Sequence, residues 1–205
     1  MRTHTKETQT SITPEIALEY LKEGNARFVN NLRAHRNLLE QVNETRDGQY
    51  PFATILSCID SRVSAELIFD QGLGDIFSIR IAGNVLNEDI LGSMEFACKV
   101  AGSKLIVILG HSRCGAVKGA VDQVEMGNLT GLLKKIEPAI DSVVGEAKFE
   151  RGDMNFMDEV VKLNVHNVAN EIQEKSDILG QMVADGEIGI AKAVYFVETG
   201  EVIFA

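Results

Sequence analysis

Four short, mostly apolar runs constrain this chain more than any other feature: Phe52–Cys58, Ile76–Arg80, Leu105–Leu109 and Ala193–Val197. None alternates strictly between apolar and polar residues, so each reads as a strand covered on both faces. Between them lie helix-period stretches at 65–70, 89–100, 115–125, 129–149 with Pro138 inside, and 155–175. Strands alternating with helices need crossover connections, which predicts an α/β fold with a central, mostly parallel β-sheet flanked by helices. Glu198-Thr-Gly200 between two apolar runs predicts a C-terminal edge hairpin. Upstream, Thr13 as cap and Pro14 at the first helical position open an N-terminal helix over 13–29, with an interruption expected at Gly24. Residues 30–49 read as a helical or irregular connection, and 1–12 as a disordered tail.

The chain of 205 residues reads as one domain over 1–205. With 45% hydrophobic and 24% charged residues, disorder is excluded as the main state. The run Leu105–Leu109 is far short of the ~20 residues that cross a bilayer. Residues 1–10 contain no apolar stretch of the secretory kind, and a cytoplasmic location is the expectation. A net charge of -10 argues against nucleic acid and anionic lipid as partners. Three cysteines in such a chain point to metal or thiolate chemistry rather than a disulfide framework.

Cys58 and Cys114 each follow a predicted central strand, where ligands bind in open parallel sheets. Cys58, His111 and Cys114 together offer two thiolates and an imidazole, a soft set suited to Zn²⁺, and three protein ligands leave a position for chemistry. Cys98 sits on an apolar helix face and reads as core, His166 as a packed or capped side chain, and His4 and His35 as solvated. Gly110-x-x-x-x-Gly115 lacks the Lys-Ser/Thr of a phosphate loop, and no Cys-x-x-Cys pair exists. Asp60 and Arg62 extend to the same side as Cys58. Their pairing reads either as an acid held ionised beside the metal or as a strand-end ion pair; a free Asp60 could instead close the open metal position.

Cys58-x-Asp60-x-Arg62-Val63 followed by His111-x-x-Cys114-Gly115 resembles the β-class carbonic anhydrases of the open, plant-like type. Gly24-Asn-x-Arg-Phe28, Arg80-x-Ala-Gly-Asn84, Gly92-Ser-x-Glu-Phe-Ala97, Tyr195 and Thr199-Gly200 extend the resemblance over nearly the whole chain. It implies one zinc per chain on Cys58, His111 and Cys114, with water or, in a closed state, Asp60 as fourth ligand. It also implies reversible hydration of CO2 to bicarbonate and a proton by a zinc-bound hydroxide, with Asp60 and Arg62 catalytic. Gln49 and Gly115 are then substrate-binding, and Phe77, Ala82 and Phe96 line the substrate pocket. Phe96 stands where many members carry a Tyr contributed across a dimer, and Ile59 where Ser is usual. The implied assembly is a homodimer or a dimer of dimers, with the N-terminal helix lying on the partner. Enzymes hydrolysing COS or CS2 share these motifs, and a non-catalytic zinc-binding homologue is the other alternative; the intact Asp60–Arg62 pair and Gln49 argue against the latter.

Overall fold

In the computed structural model, which describes residues 3–145 and 153–205, five strands form one sheet in the order β2-β1-β3-β4-β5. These are β1 (Ala53–Ser57), β2 (Ile76–Arg80), β3 (Leu105–His111), β4 (Gly189–Tyr195) and β5 (Val202–Phe204). The first four run parallel, and β5 returns antiparallel to β4 with Ala193 opposite Phe204. The predicted sheet and closing hairpin are therefore present. The fourth strand starts earlier than the apolar run suggested, because Gly189–Lys192 is only half buried at that side of the sheet.

Every residue of β1 and β3 is buried, and alternate side chains enter separate cores. Ala53, Ile55, Leu105, Val107 and Leu109 pack with Ala17 and Leu21 of helix α2 (Pro14–Val29) and with Ala65 and Ile68 of α4 (Ala65–Ile68). Leu56, Ile106 and Ile108 face the other way, onto Ile90 and Met94 of α5 (Glu88–Glu95), onto Val165, Val168 and Ile172 of α9 (Met154–Lys175), and onto Leu179 of α10 (Asp177–Ala184). Each fully buried Leu or Ile contributes about 1.5–3 kcal/mol relative to exposure, so the two central strands anchor both layers. A third core joins Cys58 and Cys114 to α6 (Gly115–Val121), α8 (Glu137–Gly145) and α9 at the carboxyl end of the sheet.

Three local expectations change. Residues 1–12 are not a disordered tail where described: α1 (Lys6–Ser11) is closed by a capping box from Thr5 and Thr8, and buried Gln9 donates to the carbonyls of Pro51 and Ala101. Residues 1 and 2 lie outside the described residues. Helix α2 runs unbroken through Gly24, where a Cβ would stand 1.8 Å from the Phe69 carbonyl oxygen; the glycine serves close packing and not a break. The expected helix over 129–149 divides into α7 (Gly127–Leu133), a 3₁₀ turn over Lys134–Ile136 and α8, because Pro138 suits a first turn better than an interior one. Its last four residues fall outside the described set. Helix α5 continues into a π-helical turn over Phe96–Val100, and α3 (Leu38–Thr45) occupies the connecting segment.

Candidate metal centre

The side chains at the centre come from two neighbouring strand ends. β1 and β3 pair in register up to Ser57 and Leu109, which delivers Cys58 one residue past β1 and His111 as the last residue of β3. Cys114 then caps the start of α6. The ligand atoms of Cys58, His111 and Cys114 lie within 4.8 Å of one another, and all three residues are buried.

The histidine shows which of its atoms belongs to the cluster. Its Nδ1 lies 2.9 Å from the Ser112 carbonyl oxygen. A carbonyl only accepts, so Nδ1 carries the proton and Nε2 keeps its lone pair. That Nε2 is fully buried and has no hydrogen-bond partner, a costly state for a polar atom unless a ligand satisfies it. The thiols complete the set. Hydrogen bonding from Cys114 pulls the Cys58 thiol far below its ordinary value, aided by the Gly83 amide 3.3 Å from the sulfur. The same contact, together with burial, pushes Cys114 up, so the two cysteines share one proton. Two cysteine sulfurs and one imidazole lone pair converging on a single point are a donor set that fits Zn²⁺.

Asp60 stands just beyond this cluster and is not part of it. Arg62 grips both its oxygens, Nε to Oδ1 at 2.9 Å and Nη2 to Oδ2 at 2.8 Å, and the Arg62 amide adds a third bond at 2.9 Å. These bonds hold the Asp60 carboxyl well below the usual carboxylate range. Both Asp60 oxygens are thus engaged by the guanidinium.

Of the other residues singled out, Gly115 opens α6 beside Cys114, where an added Cβ would meet nothing within 4 Å. Ala82 is half buried and precedes Gly83, the residue whose amide reaches Cys58. Phe77 and Phe96 pair edge to face with ring centroids 6.5 Å apart and line an open groove of about 670 Å³ over β2 and α5, in which none of the three ligands takes part. Gln49 is exposed at the opposite end of β1, in a cleft with Lys6, Tyr50, Val100 and Lys104. Five strand residues span about 17 Å, so a single chain does not bring Gln49 to its own cluster.

The structure adds residues that the sequence reading did not single out for a role. Arg80 donates from Nε to the Cys58 carbonyl at 3.0 Å and from Nη2 to the Asp60 carbonyl at 2.7 Å, fixing the backbone that carries both. Pairing of Ser57 with Arg80 across β1 and β2 puts it there. Asn164, buried on α9, donates 3.0 Å to the Gly83 carbonyl and so steadies the turn whose amide meets Cys58. A polar residue amid the apolar stripe of α9 was the available signal for it. His166 is exposed, 3.1 Å from Lys192 Nζ, and Cys98 is buried core with its thiol pushed up to about 12 by desolvation. His4, expected in solvent, instead lies 5.4 Å from the Phe52 ring and 6.2 Å from the Tyr20 ring.

Comparison with known proteins gives a consistent picture. Residues 53–202 match the sequence profile of a family described as carbonic anhydrase. The chain is 35% identical over 196 residues to carbonic anhydrase 2 of Mycobacterium tuberculosis, covering 93% of this chain and 92% of that protein. It is 34% identical to a carbonic anhydrase of Mycolicibacterium smegmatis, with 92% of each covered. Among solved structures, the β-carbonic anhydrase CafA of Aspergillus fumigatus superposes with a TM-score of 0.73 at 25% identity, covering 93% of this chain and 89% of that one.

Proposed function

The chain belongs to the β-class carbonic anhydrases, a family of zinc lyases, and on that footing we propose that it interconverts CO2 and bicarbonate at the Cys58–His111–Cys114 centre. The observation that carries this reading is the buried, unpartnered His111 Nε2 in one cluster with the Cys58 and Cys114 sulfurs, with the Asp60 carboxylate clamped by Arg62 alongside.

Cys58, His111 and Cys114 would hold one zinc per chain. When bound, zinc supplies the acidity that makes water a nucleophile near neutral pH. The chain's own groups do the rest. Asp60 is acceptor-only in its ionised form, so it takes a hydrogen bond from the attacking water and sets its orientation, while Arg62 stops the carboxylate from turning toward the metal. Arg62 Nη2 also reaches the Arg113 carbonyl at 3.4 Å, which ties the acid to the loop carrying Cys114. The Gly115 amide, in the first turn of α6, donates to the negative charge that develops on the product oxygens. Ala82 supplies a small apolar wall beside Gly83.

Gln49, Phe77 and Phe96 act from a second copy of the chain in a homodimer, itself able to pair into a dimer of dimers. Gln49 lies at the wrong end of its own β1 to serve its own cluster. Apolar side chains left in solvent support an interface: Phe96 is 54% exposed, Val100 72% and Leu39 77%. Among the described residues no helix is long and apolar enough to cross a membrane. Two adjacent cysteines that must remain reduced to bind metal suit a reducing compartment such as the cytoplasm.

Stopped-flow CO2 hydration tests the reading, with COS and CS2 assayed on the same preparation. Zinc-replete protein should hydrate CO2, lose the activity to a chelator and regain it with zinc. Absence of CO2 hydration above the buffer rate from zinc-replete protein would overturn it.

A further inference from the structure

The loop between the two downstream ligands, Ser112-Arg113, is held by a carboxylate from the far end of the chain. Glu198 lies in the turn after β4. Its Oε2 accepts the Ser112 hydroxyl at 2.6 Å, and its Oε1 accepts Arg113 Nε. The Ser112 hydroxyl in turn accepts the Val197 amide at 3.0 Å, and the Ser112 amide donates to the Tyr195 carbonyl at 2.9 Å. One hairpin thus grips two consecutive residues at four points.

Those residues control the site through their carbonyls. The Ser112 carbonyl receives the His111 Nδ1 proton and so selects the tautomer that leaves Nε2 facing the cysteines. The Arg113 carbonyl receives Arg62 Nη2, the same guanidinium nitrogen that binds Asp60 Oδ2. Arg113 also sits at φ 52°, the left-handed region that a side chain adopts only when its surroundings impose it. Its side chain and its carbonyl are bonded to Glu198 and Arg62 respectively.

We infer that Glu198 is a positioning residue for the metal centre: by gripping Ser112 and Arg113 it orients the carbonyls that set the His111 tautomer and brace the Arg62–Asp60 pair. This rests on the zinc reading of the cluster. A ligand-orienting partner of this kind is worth about 10–100-fold in metal affinity. The effect on His111 and so on metal release runs through Ser112, where the hydroxyl and the Glu198 carboxylate are one link, whereas the effect on the Arg62–Asp60 pair runs through Arg113.

The test uses the zinc-loaded protein and its cobalt-substituted form. Zinc release to excess chelator is timed for wild type, Glu198→Ala, Glu198→Gln, Ser112→Ala and the Glu198→Ala/Ser112→Ala pair, and the cobalt spectrum reports the ligand field. Glu198→Ala and Ser112→Ala should each speed release by at least about tenfold and alter the cobalt spectrum. Glu198→Gln, which keeps one acceptor, should fall between, and the double variant should release no faster than the faster single. Release within twofold of wild type in folded Glu198→Ala or Ser112→Ala overturns the inference, as does a double variant whose effect is the product of the singles. If Glu198→Ala does not fold, Ser112→Ala and Glu198→Gln decide on the same criteria. Cys114→Ser separates this from the underlying reading: full zinc occupancy in that variant removes the ligand assignment itself, whereas a zinc-free Cys114→Ser with an unaltered Glu198→Ala removes only the role of Glu198.

Discussion

Two aspartates stand at opposite ends of the same sheet, and their environments are opposite too. Asp60, past the carboxyl end of β1, is gripped through both oxygens by Arg62 and held ionised. Asp75, immediately before β2, is 6% exposed and faces a cavity of about 200 Å³ walled by His4, Tyr20 and Phe52, with Glu23, Arg27 and Gln71 at its sides. Burial pushes its carboxyl up, and the Gly72 amide, His4 and Arg36 only partly oppose this. Its Oδ2 accepts the Gly72 amide at 2.7 Å, and its carbonyl accepts the Phe52 amide at 2.9 Å just ahead of the β1–β2 pairing. The buried acid here is bonded to the backbone around it, whereas the more exposed one is held by a dedicated cation.

Replacing each by its neutral isostere separates the two most sharply. Asp60→Asn should retain one zinc per chain yet lose about 100-fold or more in kcat/KM, because the amide can present a donor where the attacking water needs an acceptor. Asp75→Asn should hydrate CO2 within twofold of wild type. Comparable kinetics for the two variants would break the distinction. The pH dependence carries the same contrast: the folded value of Asp60 lies below its unfolded one, so the carboxylate survives mild acid and an acidic limb of the rate profile near pH 5–6 must come from another group.

A second contrast lies between the ligand cluster, complete within one chain, and Gln49, which is not near it. Gln49→Ala should cost about tenfold in kcat/KM, the value of one hydrogen bond to substrate. Co-expressing Gln49→Ala with metal-free Cys114→Ser gives mixed dimers in which the intact cluster faces an intact glutamine from its partner. Random pairing should then raise activity per chain about fivefold above the average of the two parents. Activity equal to that average would rule out action of Gln49 across a dimer.

What could be read from the sequence follows the range of the interactions. The ligands were legible because each sits at a strand end within a few residues of the run that announces it. Arg80, Asn164 and Glu198 were not, because strand pairing and helix packing bring them in from 22, 81 and 86 residues away. Helix α3 was blurred for a different reason. Its Leu38 and Leu39 are 57% and 77% exposed, so its apolar residues do not mark a face turned to the chain's own core. Helix α10 went unassigned: the sequence reading ended its last helix at 175, and these eight residues follow α9 after the single residue Ser176, which caps them. Gly24 misled in the other direction: its lack of a side chain answers to the Phe69 carbonyl pressed against α2, a tertiary fact invisible to helix propensity.

The smallest expected effect concerns stability at the amino end of the sheet. Asp75 has its folded value raised above the unfolded one, so the folded state binds more protons, and its contribution to stability falls as pH rises through the folded value. Asp75→Asn keeps an acceptor for the Gly72 amide and removes the charge. Relative to wild type it should therefore gain stability on going from pH 4 to pH 8, by about 1 kcal/mol, read as a rise of ~2–4 °C in Tm. His4 lines the same cavity, but burial holds its value down, so it carries little charge at the alkaline end of this range. A difference between Asp75→Asn and wild type that is flat across this pH range would mean that the Asp75 charge is already compensated in the folded protein.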